Sequence, residues 1–166
     1  CHLAAESALT VFAEICDEFE QRFGRKYDAV ESYRMDDADY VFFMMGCFAT
    51  KAKTAVDSLR EAGWKIGLLR PRLLRPYPAE KIRQALAGKQ GVAVIDQNLS
   101  MGKGGILHSE LASVLYGYNN SPPTLISFIG GLGGRDISQE EFFAIATQLK
   151  QPVHNGETPA PRFLYT

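Results

Sequence analysis

The stretch "DYVFFMMG", Asp39 to Gly46, decides the fold. It is a nearly unbroken apolar run between an acid and a glycine. It lacks the polar alternation of a half-exposed strand, and the surrounding run from Tyr40 to Ala49 reaches only half of the ~20 residues a membrane helix needs. The reading left is a strand buried on both faces, which belongs inside a parallel sheet. "GVAVID", Gly91 to Asp96, has the same character, and "WKIGLLR" and "TLISFI" supply two further strands.

Between these strands the periodicity changes from two to three or four. Ala52, Ala55, Val56 and Leu59 form a helical stripe closed by Gly63. Pro78 suits a first helical turn, followed by Ile82, Ala85 and Leu86, with Gly88 as the stop. A third helix starts near Gly105 and places Leu107, Leu111, Val114 and Leu115 on one side. Ser138 and Glu141 make a capping box ahead of Phe142, Ile145, Ala146 and Leu149. At the front, Ala4, Ala8, Phe12, Ile15, Phe19 and Phe23 mark an amphipathic helix that Gly24 ends, and Tyr27 to Met35 reads as an edge strand. Residues 1–26 thus lead into an α/β domain over 27–150, and 151–166 form a polar, Pro- and Gly-containing tail expected to pack loosely.

Strands alternating with helices require right-handed crossovers and a mainly parallel sheet covered on both faces, which is a three-layer α/β/α sandwich. Composition narrows what such a domain does. Of 166 residues, 46% are hydrophobic and 22% charged, which suits one domain with a full core. A net charge of -1 provides no general attraction to nucleic acid or an anionic membrane. Cys1, Cys16 and Cys47 are odd in number and widely spaced, so they make neither a disulfide framework nor a metal site, and a reducing cytoplasm fits them. The chain opens on Cys1 rather than a methionine, as a piece of a longer protein would.

Function in these sheets gathers where strands end. Four loops qualify: "MGCFAT", "RPRLLRPYP", "DQNLSMGKGG" and "GGLGGRDIS". In the third, Gly102, Lys103, Gly104 and Gly105 stand between a strand and a helix, where free N–H groups favour an anion. Their spacing is neither that of a Walker A loop nor GxGxxG, so a tight turn explains the glycines equally well. Arg70, Arg72 and Arg75, stiffened by Pro71 and Pro76, either grip carboxylates or phosphates or anchor a subunit interface. Arg135 and Asp136 make a local pair ahead of the capped helix.

Catalytic residues are sparse. His2, His108 and His154 have no Ser, Cys or carboxylate at a triad or metal spacing. Asp36, Asp37 and Asp39 lack the glycine and terminal glutamate of a calcium loop and read as a solvated turn. Cys47, at a strand end, has no assignable base and reads as a buried, inert thiol.

The runs "GRKYDAVESYRMDDADYVFFMMG", "LREAGWKIGLLRPRLLRPYP", "VAVIDQNLSMGKGG" and "FIGGLGGRDIS", in that order, resemble the C-terminal part of the alpha subunit of pyruvate:ferredoxin oxidoreductases, within the 2-oxoacid:acceptor oxidoreductase family. Gln97 departs from the basic residue expected at its place in that family. The resemblance implies a transketolase C-terminal-domain-like fold with a mostly parallel five-stranded sheet. It also implies a complete enzyme that oxidatively decarboxylates a 2-oxoacid with thiamine diphosphate and magnesium, passes electrons through iron–sulfur clusters to ferredoxin or flavodoxin, and delivers the acyl group to coenzyme A. In such an enzyme the cofactors sit in other domains, and this chain alone binds none. It serves assembly, with Arg70, Arg72, Arg75, Arg135 and Asp136 at contacts to other domains or subunits, and a homodimer stays open. The rival is an anion- or coenzyme A-binding module using Gly102, Lys103, Gly104, Gly105 and the arginines.

Overall fold

The computed structural model describes residues 2–151 and 160–164. Among the described residues, eleven α-helices and β-strands follow one another as α1 (His2–Phe23), β1 (Val30–Tyr33), β2 (Tyr40–Phe43), α2 (Phe48–Glu61), β3 (Ile66–Pro71), α3 (Ala79–Leu86), β4 (Gly91–Asp96), α4 (Ile106–Leu115), β5 (Thr124–Ile129), α5 (Gln139–Leu149) and β6 (Arg162–Phe163), with a short 3-10 turn at Leu132–Gly134 before α5. The protein is an α/β/α sandwich on a mixed, mostly parallel sheet with the strand order β1-β3-β2-β4-β5-β6.

The decisive stretch behaves as its composition demands. Val41, Phe42 and Phe43 have no exposure, and successive side chains enter opposite layers. Phe42 joins Ile66, Leu68, Ala93, Ile95 and Phe128 under α2 and α5. Phe43 joins Leu69, Val92 and Val94 under α3 and α4. A strand fed on both faces needs no polar side, which is why the run reads apolar throughout. The capping box forms: Ser138 Oγ accepts from the Glu141 N–H at 3.1 Å, and the Glu141 carboxylate accepts from the Ser138 N–H at 2.6 Å.

Three features depart from the sequence reading. The sheet has six strands rather than five, because Arg162–Phe163 pairs in parallel with Phe128–Ile129. Part of the segment read as a loosely packed tail therefore joins the sheet, with Leu164 lying against Gly130. His154 lies outside the described residues. The edge strand β1 runs antiparallel to β3, with Glu31 opposite Arg70. Finally, α1 forms as expected, but Cys16 is its only buried residue among those described. Of the apolar stripe, Ala8, Phe12 and Phe19 are half-buried while Ile15 is 57% and Phe23 62% exposed, and Leu3 beside it is 79% exposed, so the helix is only partly covered.

Candidate functional site

Because β2, β3, β4 and β5 are parallel, their four following loops emerge at one edge of the sheet. The chain moves from β2 outward to β3 and then crosses back to β4 on the other side of β2, so the crevice between the ends of β2 and β4 is the switch point where such sheets bind ligands. Here that crevice holds the side chain of Gln97. A Cβ on Gly46 would lie 2.9 Å from Gln97 Oε1, and one on Gly131 would lie 3.2 Å from Gln97 Nε2 and 2.9 Å from the Phe48 ring. Gly131 takes φ 73°, a left-handed conformation open to glycine. The glycines let Gln97 bridge the loops after β2 and β5. Cys47 is exposed at the N-cap position of α2, not buried as its place at the end of an apolar strand suggested, because the chain has already left the sheet at Gly46.

The glycine loop after β4 has its own internal anion. Asp96, 1% exposed at the end of β4, turns its carboxylate under the first turn of α4. It accepts from the Leu107 N–H at 2.8 Å and from the His108 N–H at 3.1 Å, while Asn98 Oδ1 accepts from the Ile106 N–H at 3.1 Å. The donors that a bound phosphate would take at a helix start are thus already engaged. Burial lifts the Asp96 pKa and the helix N–H bonds pull it back only partly, leaving it above its ordinary value. Gly105 is buried against this carboxylate, and any side chain there would collide with it. Gly104 approaches Pro161 so closely that a Cβ would lie 2.6 Å from the proline ring. Gly102 and Lys103 remain exposed at the tip beside Met101, which is 87% exposed.

The arginines divide between two partners. Arg70 and Arg72 converge on Glu31, at 3.4 Å and 2.7 Å, and Lys53 from α2 bonds the other carboxylate oxygen. Burial alone would raise the Glu31 pKa, but the Lys53 hydrogen bond and the charges of Arg72, Lys53 and Arg70 outweigh it and hold the carboxyl below its ordinary value. Arg75 instead grips Glu110 of α4 through two bonds of 2.6 Å and 3.2 Å. Asp136 pairs with Lys51 of α2, and Arg135 is exposed on the same loop. Asp37 of the acidic turn pairs with Arg60 at 2.5 Å and 2.7 Å. His108 is half-buried, and burial lowers its pKa. Among the described residues no three His, Cys, Asp or Glu side chains come together as a metal site, and no helix is long and apolar enough to cross a membrane.

An apolar cleft of about 300 Å³ separates α1 from the start of α3, lined by Leu9, Phe12, Ala13, Tyr77 and Pro78. The Tyr77 hydroxyl is buried without a hydrogen-bond partner, and burial raises its pKa.

Three participants were not singled out from the sequence: Asp96 as a cap, Glu31 as a hub, and Lys53; Gln97 was noted there only as a departure from an expected basic residue. Asp96 had a visible signal, being the one acid in "GVAVID" and the residue that ends it. Glu31 and Lys53 had none, because their meeting depends on β1 lying beside β3 and under α2.

Comparison with known proteins gives the chain's family. The family described as "Pyruvate:ferredoxin oxidoreductase core domain II" matches residues 38–142. Ketoisovalerate oxidoreductase subunit VorA of Pyrococcus abyssi is 39% identical over 155 residues, covering 93% of this chain and 39% of that protein. Pyruvate synthase subunit PorA of Thermotoga maritima is 43% identical over 137 residues, covering 82% and 35%. The chain therefore spans about two fifths of the length of these curated relatives. Among solved structures, the 2-oxoglutarate:ferredoxin oxidoreductase of Magnetococcus marinus superposes with a TM-score of 0.55 at 18% identity, over 81% of this chain and 21% of that one. A split-gene transketolase, described as an inactive beta4 tetramer, gives 0.58 at 15% identity over 75% and 43%. At those identities the two structures speak for the fold alone. By the match over residues 38–142, which takes in the decisive strand and all four strand-end loops, the chain belongs to the pyruvate:ferredoxin oxidoreductase core domain II family.

Proposed function

We propose that this chain is the assembly domain of a 2-oxoacid:ferredoxin oxidoreductase subunit. In that reading the complete enzyme oxidatively decarboxylates a 2-oxoacid such as pyruvate, using thiamine diphosphate with magnesium, iron–sulfur clusters and coenzyme A, and passes electrons to ferredoxin or flavodoxin in the cytoplasm. Those groups belong to other domains. The described cysteines, Cys16 in α1 and Cys47 at the start of α2, are no cluster-ligand set, and Asp96 already occupies the helix start that a diphosphate would take.

The observation that carries the proposal is the outer surface of α1. Val11 and Ile15, 49% and 57% exposed, lie four residues apart on a helix with one buried residue. An uncovered apolar stripe of this kind marks a protein contact. The relatives, with most of their length outside this domain, have ample chain to supply a cover.

The test has two arms. Calorimetric titration of the folded domain with coenzyme A, and with thiamine diphosphate plus magnesium, is expected to give no saturable heat. Micromolar binding that Lys103→Ala abolishes would instead establish the anion-binding module. In the second arm, Val11→Asp with Ile15→Asp is expected to weaken association with the remaining parts of the enzyme. Burial of two such side chains contributes about 3 kcal/mol, so the loss should be on the order of a hundredfold. Unchanged association in a folded double variant would sink the assembly role.

A further inference from the structure

The cluster on Glu31 is out of balance. Three cations, Lys53, Arg70 and Arg72, meet one carboxylate, and the four side chains are only 20–28% exposed. Like charges held this close and partly out of water repel one another, and one carboxylate leaves an excess of two positive charges. Other acids nearby are committed elsewhere: Asp57 accepts from the Tyr33 hydroxyl at 2.8 Å, and Asp28 pairs with Lys81. Hydrogen-bonding capacity is also left over. Each guanidinium has five N–H donors, yet among the described residues Arg72 makes one hydrogen bond and Arg70 one, both to the same Glu31 oxygen. Among the described residues Arg72 Nε, itself buried, has no acceptor.

The cluster does not stand alone on the surface. The Arg72 guanidinium lies over the Tyr27 ring at 4.9 Å. Tyr27, 38% exposed, meets Phe19 edge to face with centroids 5.4 Å apart, and Phe19 packs on Phe23 at 4.6 Å. An aromatic path therefore runs from the uncovered end of α1 directly to the unbalanced cations. Arginine beside exposed aromatic residues is the composition of an interface hot spot.

We propose that Phe23, Tyr27, Arg72, Arg70 and Lys53 form one docking surface, and that its occupant is a segment of another domain or subunit of the enzyme presenting a carboxylate beside an apolar side chain. The inference rests on the assembly reading and names the chemistry of the contact. Charge complementarity selects an acid. A carboxylate accepts from the terminal guanidinium N–H groups that Glu31 leaves unused, and the apolar neighbour covers Phe23 and Tyr27. A free phosphate fits less well, since no helix starts there: Lys53 lies inside α2, whose first residue is Phe48.

The experiment measures association of this chain with the remaining subunits by sedimentation at low and high salt, for the parent, Arg70→Gln/Arg72→Gln and Arg72→Lys. Parent binding should weaken as salt rises. The double variant should bind about tenfold more weakly at low salt and lose most of the salt dependence. Arg72→Lys, which keeps the charge but loses the planar fork, should fall between them. A folded double variant with parental affinity and salt slope overturns the inference while leaving the assembly reading intact. A parent chain that does not associate at all overturns both. Stabilisation of the isolated parent, but not the double variant, by inorganic phosphate at millimolar levels would replace the partner carboxylate with a free anion.

Discussion

Asp96 and Gly105 are predicted to be energetically coupled, and a double-mutant cycle measures it. Asp96→Ala removes the acceptor for the Leu107 and His108 N–H groups at the start of α4. Loss of a helix cap costs about 1 kcal/mol, and a charged, buried acceptor raises that, while relief of the carboxylate's own burial lowers it. The net loss should be about 2 kcal/mol, or a fall in Tm of roughly 4–8 °C for a domain of this size. Gly105→Ala asks nothing of the backbone, since φ is -67°. Its Cβ, however, falls on the Asp96 carboxylate. That carboxylate is fixed at the end of a fully buried strand, so the variant both breaks the cap and overpacks the site, at about 3 kcal/mol. Once Asp96 is alanine the contacts with the carboxylate are gone, and only a close Cβ–Cβ approach of 2.9 Å remains. The double variant, which keeps about 1 kcal/mol of overpacking, should therefore lose about 3 kcal/mol rather than about 5, a coupling of about 2 kcal/mol in urea or thermal unfolding. Additivity to within about 0.5 kcal/mol would refute the packing argument and return the glycine loop to the list of open anion sites.

Ser138→Ala removes one half of the capping box seen at Glu141 and should lower stability by about 1 kcal/mol, read as a lower urea midpoint with unchanged slope; no change would mean that α5 is held by its core contacts alone. Glu31→Gln tests the hub through pH. The Glu31 pKa is lowered in the folded state from 4.5, so its contribution is fully present above about pH 4.5 and is lost as pH falls through the lower folded value. The stability gap between parent and variant should be widest near neutrality and close in acid, and a gap independent of pH would remove Glu31 from the charge network.

What could be read in advance depended on distance along the chain. The strands at "DYVFFMMG" and "GVAVID", the glycine stops and the Ser138–Glu141 cap are local patterns, each satisfied within a few residues, and the structure carries them. The site was less legible. Arg70, Arg72 and Arg75 read as one arginine loop, but they serve two different carboxylates, Glu31 and Glu110, which lie 39 to 41 and 35 residues away. The apolar stripe of α1 was also visible, yet periodicity reports only that a face is apolar, not whether anything covers it.

By itself, the sequence determined the α/β class, the alternation that makes a parallel sheet obligatory, and the placement of four loops at strand ends, because apolar period and turn chemistry act over short range. Only the tertiary structure decided that Asp96 fills the helix start behind the glycine loop, that Gln97 closes the switch-point crevice, and that three cations share Glu31. Each of those depends on which strands become neighbours, and β2, β3 and β4 acquire their order through crossovers that no local pattern records.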